Sequence, residues 1–92
     1  MAAHVAMAHH ALAAAAALGL DRAALTEIVK VSSGRSYGFE MYARQPSPSA
    51  FAHGAKLLAK DVRLLGEVLG EDPSFAAFRD IAAPFLDSVA KG

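Results

Sequence analysis

The adjacent pair Lys60-Asp61 interrupts the apolar pattern of a segment that otherwise reads as an amphipathic helix. On a wheel of about 100° per residue, Asp61 falls inside an apolar arc of roughly 180°, and Lys60 falls at its edge. The arc comprises seven aliphatic side chains: Leu57, Leu58, Val62, Leu64, Leu65, Val68 and Leu69. Gly54 lies on the same side, where we expect another backbone to come close.

A carboxylate on a core-facing arc needs a hydrogen bond or an opposite charge, because an unpaired buried charge is costly. Two interpretations stay open. Asp61 caps a neighbouring helix or pairs with an arginine, or else Lys60-Asp61 forms the wall of a ligand site. In the second case the long stem of Lys60 crosses apolar surface and delivers its ammonium to a cleft.

The other residues that could form a functional site are weaker candidates. The segment 32–36, with sequence SSGRS, is typical of a small anion-binding turn, but ordinary helix capping explains it as well. His4, His9 and His10 are unevenly spaced and lack an acidic companion, so we expect no metal site. The sequence contains neither a GxGxxG pattern after a strand nor a Ser/His/Asp set, so we expect no catalytic residue in this chain.

The elements that position these residues are all helical, because every apolar run follows a helical period. We predict an all-α fold of about five helices, at residues 2–18, 22–31, 36–44, 52–69 and from 73 onward. Gly19 and Gly70 are expected helix ends, and Asp21 and Asp72 are expected caps. Pro84 lies within the last apolar stripe, so we expect a kink or break there.

Length and composition limit the possible functions. Ninety-two residues allow a single domain, residues 1–92, and nine basic residues balance nine acidic ones. That balance argues against nucleic acid or an anionic membrane as partner. The absence of cysteine excludes disulfides and thiol chemistry. The Ala-rich start lacks a basic leader and contains histidines, so we predict a cytoplasmic protein.

The order of these segments resembles one family across essentially the whole chain. A Gly-Leu-Asp turn at 19–21 follows an Ala-rich helix, SGRSY at 33–37 follows a short helix, and LLAKDVRL occupies 57–64. This order is similar to the C-terminal helical domain of the β-hydroxyacid dehydrogenases, the group of 3-hydroxyisobutyrate dehydrogenase and tartronate semialdehyde reductase. That group is related to 6-phosphogluconate dehydrogenase.

The resemblance implies an NAD- or NADP-dependent parent enzyme that acts on a short 3-hydroxy acid. The cofactor would be bound mainly by an N-terminal Rossmann domain absent from this sequence, and the catalytic lysine would also lie upstream of Met1. Lys60 would contact the cofactor near its nicotinamide, and Asp61 would support this part of the site. The helical domain would close the cleft and build a homo-oligomer, a dimer or tetramer.

Three positions depart from the family pattern. Ala52-His53 stands where relatives usually carry Gly-Phe, His10 replaces a glutamate common on the first helix, and Pro84 is unusual in the last helix. Both chain ends lie against helical sequence, which we interpret as the edges of a fragment. The alternative to a piece of a dehydrogenase is a free-standing helical module that only dimerises or binds a partner.

Overall fold

A computed structural model of the chain describes residues 1–91, with side chains up to residue 90. Its five α-helices and one 3₁₀ helix confirm the predicted all-α fold, and the described residues contain no strand. The elements are α1 (Ala2–Ala17), α2 (Arg22–Lys30), α3 (Tyr37–Ala43), the 3₁₀ helix (Pro48–Phe51), α4 (Ala52–Leu69) and α5 (Pro73–Lys91).

The helix ends follow local capping chemistry. The carboxylate of Asp21 accepts a hydrogen bond from the backbone N–H of Ala24 at 2.9 Å, and Ser36 Oγ accepts one from the N–H of Phe39 at 3.0 Å. Each bond satisfies a donor that the first helical turn leaves free. Gly70 closes α4 with φ of 59°, a backbone conformation that favours glycine.

The sequence did not anticipate two features of the backbone. The Pro/Ser stretch forms a 3₁₀ turn, in which Ser47 Oγ accepts from the N–H of Ala50 at 3.4 Å. Of the kink or break predicted at Pro84, the break does not occur, because α5 continues through it. Pro84 and Asp80 are both exposed, so the Asp80 carbonyl that loses its helical partner lies close to solvent.

The core is built where α1 packs between α3 and α5, with α4 packed along α5. Its most enclosed side chains are Val5 of α1 and Leu86 of α5, both 0% exposed. Small residues let the helices approach: a Cβ on Gly38 of α3 would lie 2.9 Å from the Cβ of His4 in α1. Alanine does the same along α1, where Ala6 and Ala8 are buried.

Helix α2 contributes least to this core, because none of its residues is buried and only Leu25 and Val29 pack against it. Its outer side exposes Ile28, at 63% of its maximal area. The helix is therefore held mainly by its cap and by the two turns that flank it.

Candidate functional site

Helix α4 presents an apolar surface to solvent rather than to the core. The outer face of α4 is defined here by Leu57, Lys60, Asp61, Leu64 and Val68, which share one side of the helix and are all exposed. Leu57 keeps 53% of its accessible area and Val68 keeps 82%. Only Ala55 and Val62 of α4 are buried, and they lie on the opposite side.

This arrangement corrects the helical-wheel interpretation of the sequence, which placed the whole apolar arc against the core. The arc is wider than the contact that α5 makes with α4, so part of it stays uncovered. Gly54 also differs from expectation. A Cβ there would lie 2.6 Å from the ring of Phe51, so Gly54 accommodates an aromatic side chain of the same chain rather than another backbone.

Asp61 is exposed, so the argument that burial forces it to find a partner does not apply. Within residues 1–90, its carboxylate neither caps a helix nor pairs with an arginine. It lines a cavity of about 260 Å³ together with Met1, Leu58 and Phe78. Lys60 is exposed as well, and the ion pairs of the described residues do not include it.

The SSGRS turn at 32–36 is engaged in local structure. Ser32 Oγ donates to the carbonyl of Val29 at 3.0 Å and accepts from the N–H of Gly34 at 3.2 Å. Arg35 forms an ion pair with Glu40 at 3.3 Å. The hydroxyls of Ser32 and Ser36 and the guanidinium of Arg35 thus have local partners, which agrees with the capping interpretation of this turn.

Sequence reasoning missed a polar cluster centred on His9. Its Nδ1 shares a hydrogen bond of 2.8 Å with the hydroxyl of Tyr42, and its ring stacks on Phe85 with centroids 4.4 Å apart. Burial lowers the pKa of His9, and the neighbouring His10 and Arg22 lower it further. Burial raises the pKa of Tyr42, which Arg22 partly opposes.

A local signal for this cluster was present in the sequence. His9 lies four residues after Val5 and three before Leu12, both buried, so all three share the inner side of α1. The partner Tyr42 lies 33 residues away and could not be inferred from spacing. His10, in contrast, is exposed. Its ring lies edge-on to that of His9, with the ring centroids 5.2 Å apart.

A larger groove of about 490 Å³ runs between α4 and α5. Charged residues of both signs, Arg63, Glu67, Arg79 and Asp87, border an apolar floor that includes Phe75. Neither Lys60 nor Asp61 borders it. Within the described residues, His, Asp and Glu are nowhere grouped in threes as a metal site requires.

The outer face of α4 combines a charge with apolar surface. Lys60 supplies an ammonium donor, and the leucines beside it are exposed. None of the helices in the described part of the chain is both long and apolar enough to cross a bilayer.

Comparison with protein families identifies the family of the chain. A family model described as the NAD-binding domain of NADP-dependent 3-hydroxyisobutyrate dehydrogenase matches residues 1–82. The match covers most of the chain, and the chain belongs to this family. It is thus of the NAD(P)-dependent dehydrogenase kind, and the family supports a nicotinamide cofactor, NAD or NADP. Searches of curated proteins and of solved structures found no significant match.

Proposed function

We propose that this chain is the C-terminal helical domain of an NAD(P)-dependent dehydrogenase acting on a short 3-hydroxy acid, and that the outer face of α4 closes over the cofactor. The family match supports the kind of enzyme. The observation that carries the role of α4 is an exposed lysine surrounded by exposed leucines, with Leu57 at 53% and Leu64 at 43%. Such a surface suits a ligand that combines charge and apolar rings.

In this proposal the enzyme oxidises a short 3-hydroxy acid to its semialdehyde, or reduces in the reverse direction. The cofactor supplies hydride transfer when bound. Lys60 holds a polar group near the nicotinamide end through its ammonium, and Asp61 supports this part of the site by helping to hold α4 in place. Leu57 and Leu64 exclude water beside them. The group that handles the substrate proton belongs to another part of the enzyme, as do the phosphate-binding glycines.

The partner domain in this proposal is the enzyme's own N-terminal Rossmann domain, which binds most of the cofactor. A homo-oligomer, a dimer or tetramer, completes the assembly. The uncovered apolar side chains support both contacts, because leucine and valine exposed together on one helix gain free energy when a second surface covers them.

The test compares two lysines of α4 in a dehydrogenase chain that carries this domain together with its nucleotide-binding domain. Lys60→Ala is expected to raise the KM for cofactor about tenfold, a loss of roughly 1.4 kcal/mol. Lys56→Ala is the matched control, since Lys56 is exposed on the same helix but outside the outer face. Equal KM values for the two variants would remove Lys60 from the cofactor site.

A second measurement uses the 92-residue chain alone. In calorimetric titration with NADH or NADPH we expect no binding tighter than about millimolar, because most contacts belong to the other domain. Micromolar binding would contradict this division of the site. Binding at millimolar strength that disappears in Lys60→Ala, and persists in Lys56→Ala, would support it.

The alternative is a free-standing helical module that dimerises or binds a protein partner, and the same exposed face of α4 favours it. An antibody to this chain distinguishes the two in extracts of the source cells. A detected species several times heavier than 9.6 kDa supports the dehydrogenase. A species of 9.6 kDa supports the module and contradicts the catalytic proposal.

A further inference from the structure

A second cavity, of about 210 Å³, opens beside His9 between α1, the start of α2 and the Pro/Ser turn. Its polar lining consists of His9, Arg22, Tyr42, Gln45 and Ser47. Nothing in α4 borders it, so it is separate from the face assigned to the cofactor. A 150 Å³ protein cavity accommodates a benzene-sized ligand, while drug-sized ligands occupy about 300–1,000 Å³. The space therefore fits a small molecule and not a dinucleotide.

The charge of this lining is unbalanced. Arg22 is the one Lys, Arg, Asp or Glu residue among the side chains that border the cavity. It donates from one Nη to the carbonyl of Ala43 at 3.2 Å, and the ion pairs of the described residues do not include it. The adjacent Asp21 is occupied by its cap to Ala24. Arg22 thus keeps unpaired N–H groups at the cavity, which suit an anion.

The His9–Tyr42 pair adds further hydrogen-bonding groups to the lining of the cavity. Both rings are fixed: Tyr42 is 2% exposed and meets Phe51 and Phe85 edge-on, and His9 stacks on Phe85. When Nδ1 of the neutral imidazole accepts the Tyr42 proton, Nε2 carries the ring hydrogen and is a donor. Arg22 borders the same cavity as both rings, and its positive charge lowers the pKa of each.

The rest of the wall is apolar. Leu12, Ala13 and Ala16 of α1 border the cavity on one side, and Pro46 and Pro48 border it on the other. A bare inorganic anion would leave this surface unused, whereas a short carbon chain would cover it. The combination of one guanidinium, fixed hydrogen-bonding rings and apolar walls is suited to a molecule with a charged head and a short apolar body.

We propose that this cavity binds a small organic acid, whose carboxylate pairs with Arg22 and meets the His9–Tyr42 pair while its carbon chain lies against α1. The site does not depend on the dehydrogenase proposal, because it uses none of the residues of the outer face of α4. The two proposals can fail independently. The cofactor role of α4 is tested by the KM for cofactor, whereas the organic-acid site is tested on the 92-residue chain without cofactor.

The test follows the four histidine ring signals of the 92-residue chain by NMR while pH is varied from about 5 to 8. Propionate is the probe, and chloride at equal ionic strength is the reference. A carboxylate beside an imidazole favours its protonated form, so propionate is expected to raise the pKa of His9. The exposed His4 and His53 are internal controls whose titrations stay unchanged.

Two arginine variants identify the anion-binding group. Arg22→Gln is expected to weaken the apparent affinity for propionate at least about tenfold, through loss of a charge-assisted pair. Arg44→Gln removes an exposed arginine that does not line this cavity and is expected to change nothing. Arg22→Lys keeps the charge without the planar fork and is expected to bind with intermediate affinity, which tests the site even where Arg22→Gln disturbs folding.

Titration with inorganic phosphate distinguishes a site for an inorganic anion from a site for an organic acid. Phosphate carries charge but no carbon chain, so a higher concentration of phosphate than of propionate is expected to be needed for the same change at His9. Tighter binding of phosphate would overturn the organic-acid assignment. A propionate effect equal at all four histidines, or one that survives in Arg22→Gln, would overturn the site itself.

Discussion

Nδ1 of His9 and the hydroxyl of Tyr42 lie 2.8 Å apart, and this hydrogen bond joins α1 to α3 across 33 residues of sequence. It is made at the inner side of α1, where the same imidazole stacks on Phe85 of α5. One side chain therefore ties together three helices, and its burial there lowers its pKa.

This relationship predicts how stability depends on pH. The pKa of His9 is lowered in the folded chain, so between that value and the unfolded value of about 6.5 the unfolded state binds more protons. The free energy of unfolding is therefore expected to be fully developed above pH 6.5 and to fall as pH drops below it. Urea unfolding curves at pH 7.5 and 5.5 measure this fall.

Two variants test whether His9 causes the loss of unfolding free energy at low pH. His9→Gln keeps a hydrogen-bonding group near Tyr42 but does not titrate, so its unfolding free energy is expected to differ less between the two pH values. His53→Gln, at an exposed position of α4, is expected to behave as the wild type. An unaltered pH dependence in His9→Gln would contradict the assignment.

Substitution of Leu86 tests whether the core lies where α1 packs against α5. Its side chain is 0% exposed, and Leu86→Ala is expected to lower the unfolding free energy by about 2–5 kcal/mol through lost burial and a residual cavity. Leu57→Ala removes the same atoms from the outer face of α4 and is expected to cost far less. If both substitutions lowered the free energy of unfolding equally in chemical denaturation, the outer face of α4 would have to be covered in the folded chain.

Substitution of Gly38 tests how closely α3 packs against α1. A Cβ at this position would lie 2.9 Å from the Cβ of His4, an atom fixed to the helix backbone, so the helices must move apart. Gly38→Ala is expected to destabilise the chain by about 1–3 kcal/mol despite the better helix propensity of alanine. Gly34→Ala is the control, because its Cβ would meet only Ser32 Oγ at 3.6 Å. A Gly38→Ala chain as stable as wild type would place the two helices further apart.

The outer face of α4 predicts concentration-dependent self-association of the chain. Sedimentation velocity is expected to show dimers or larger species at high concentration, because pairing would cover Leu57, Leu64 and Val68. Leu64→Glu is expected to shift the population to monomer. Ile28→Glu alters a comparably exposed residue of α2 and is expected to leave association intact. Loss of association in Ile28→Glu alone would move the contact from α4 to α2.

The large apolar side chains of α1 are mostly covered. Val5 and Leu12 are buried where α1 packs against α3 and α5, and Met7 is exposed. On α4, by contrast, Leu57, Leu64 and Val68 are all exposed. Periodicity shows that a helix has an apolar face, but the partner of that face depends on which helices the connecting turns bring alongside it.

The sequence by itself determined the elements: their helical class, their caps at Asp21 and Asp72, and the bounds of α4, because these depend on neighbours a few residues apart. It also indicated the family, through the order of its turns and the Lys60-Asp61 pair. Tertiary structure alone decided which side of α4 is buried, why α5 tolerates Pro84, and that His9, Tyr42 and Arg22 border one cavity. The shared cavity depends on contacts between residues 21 and 33 positions apart, and the buried side of α4 depends on how α5 packs against it, neither of which helical periodicity encodes.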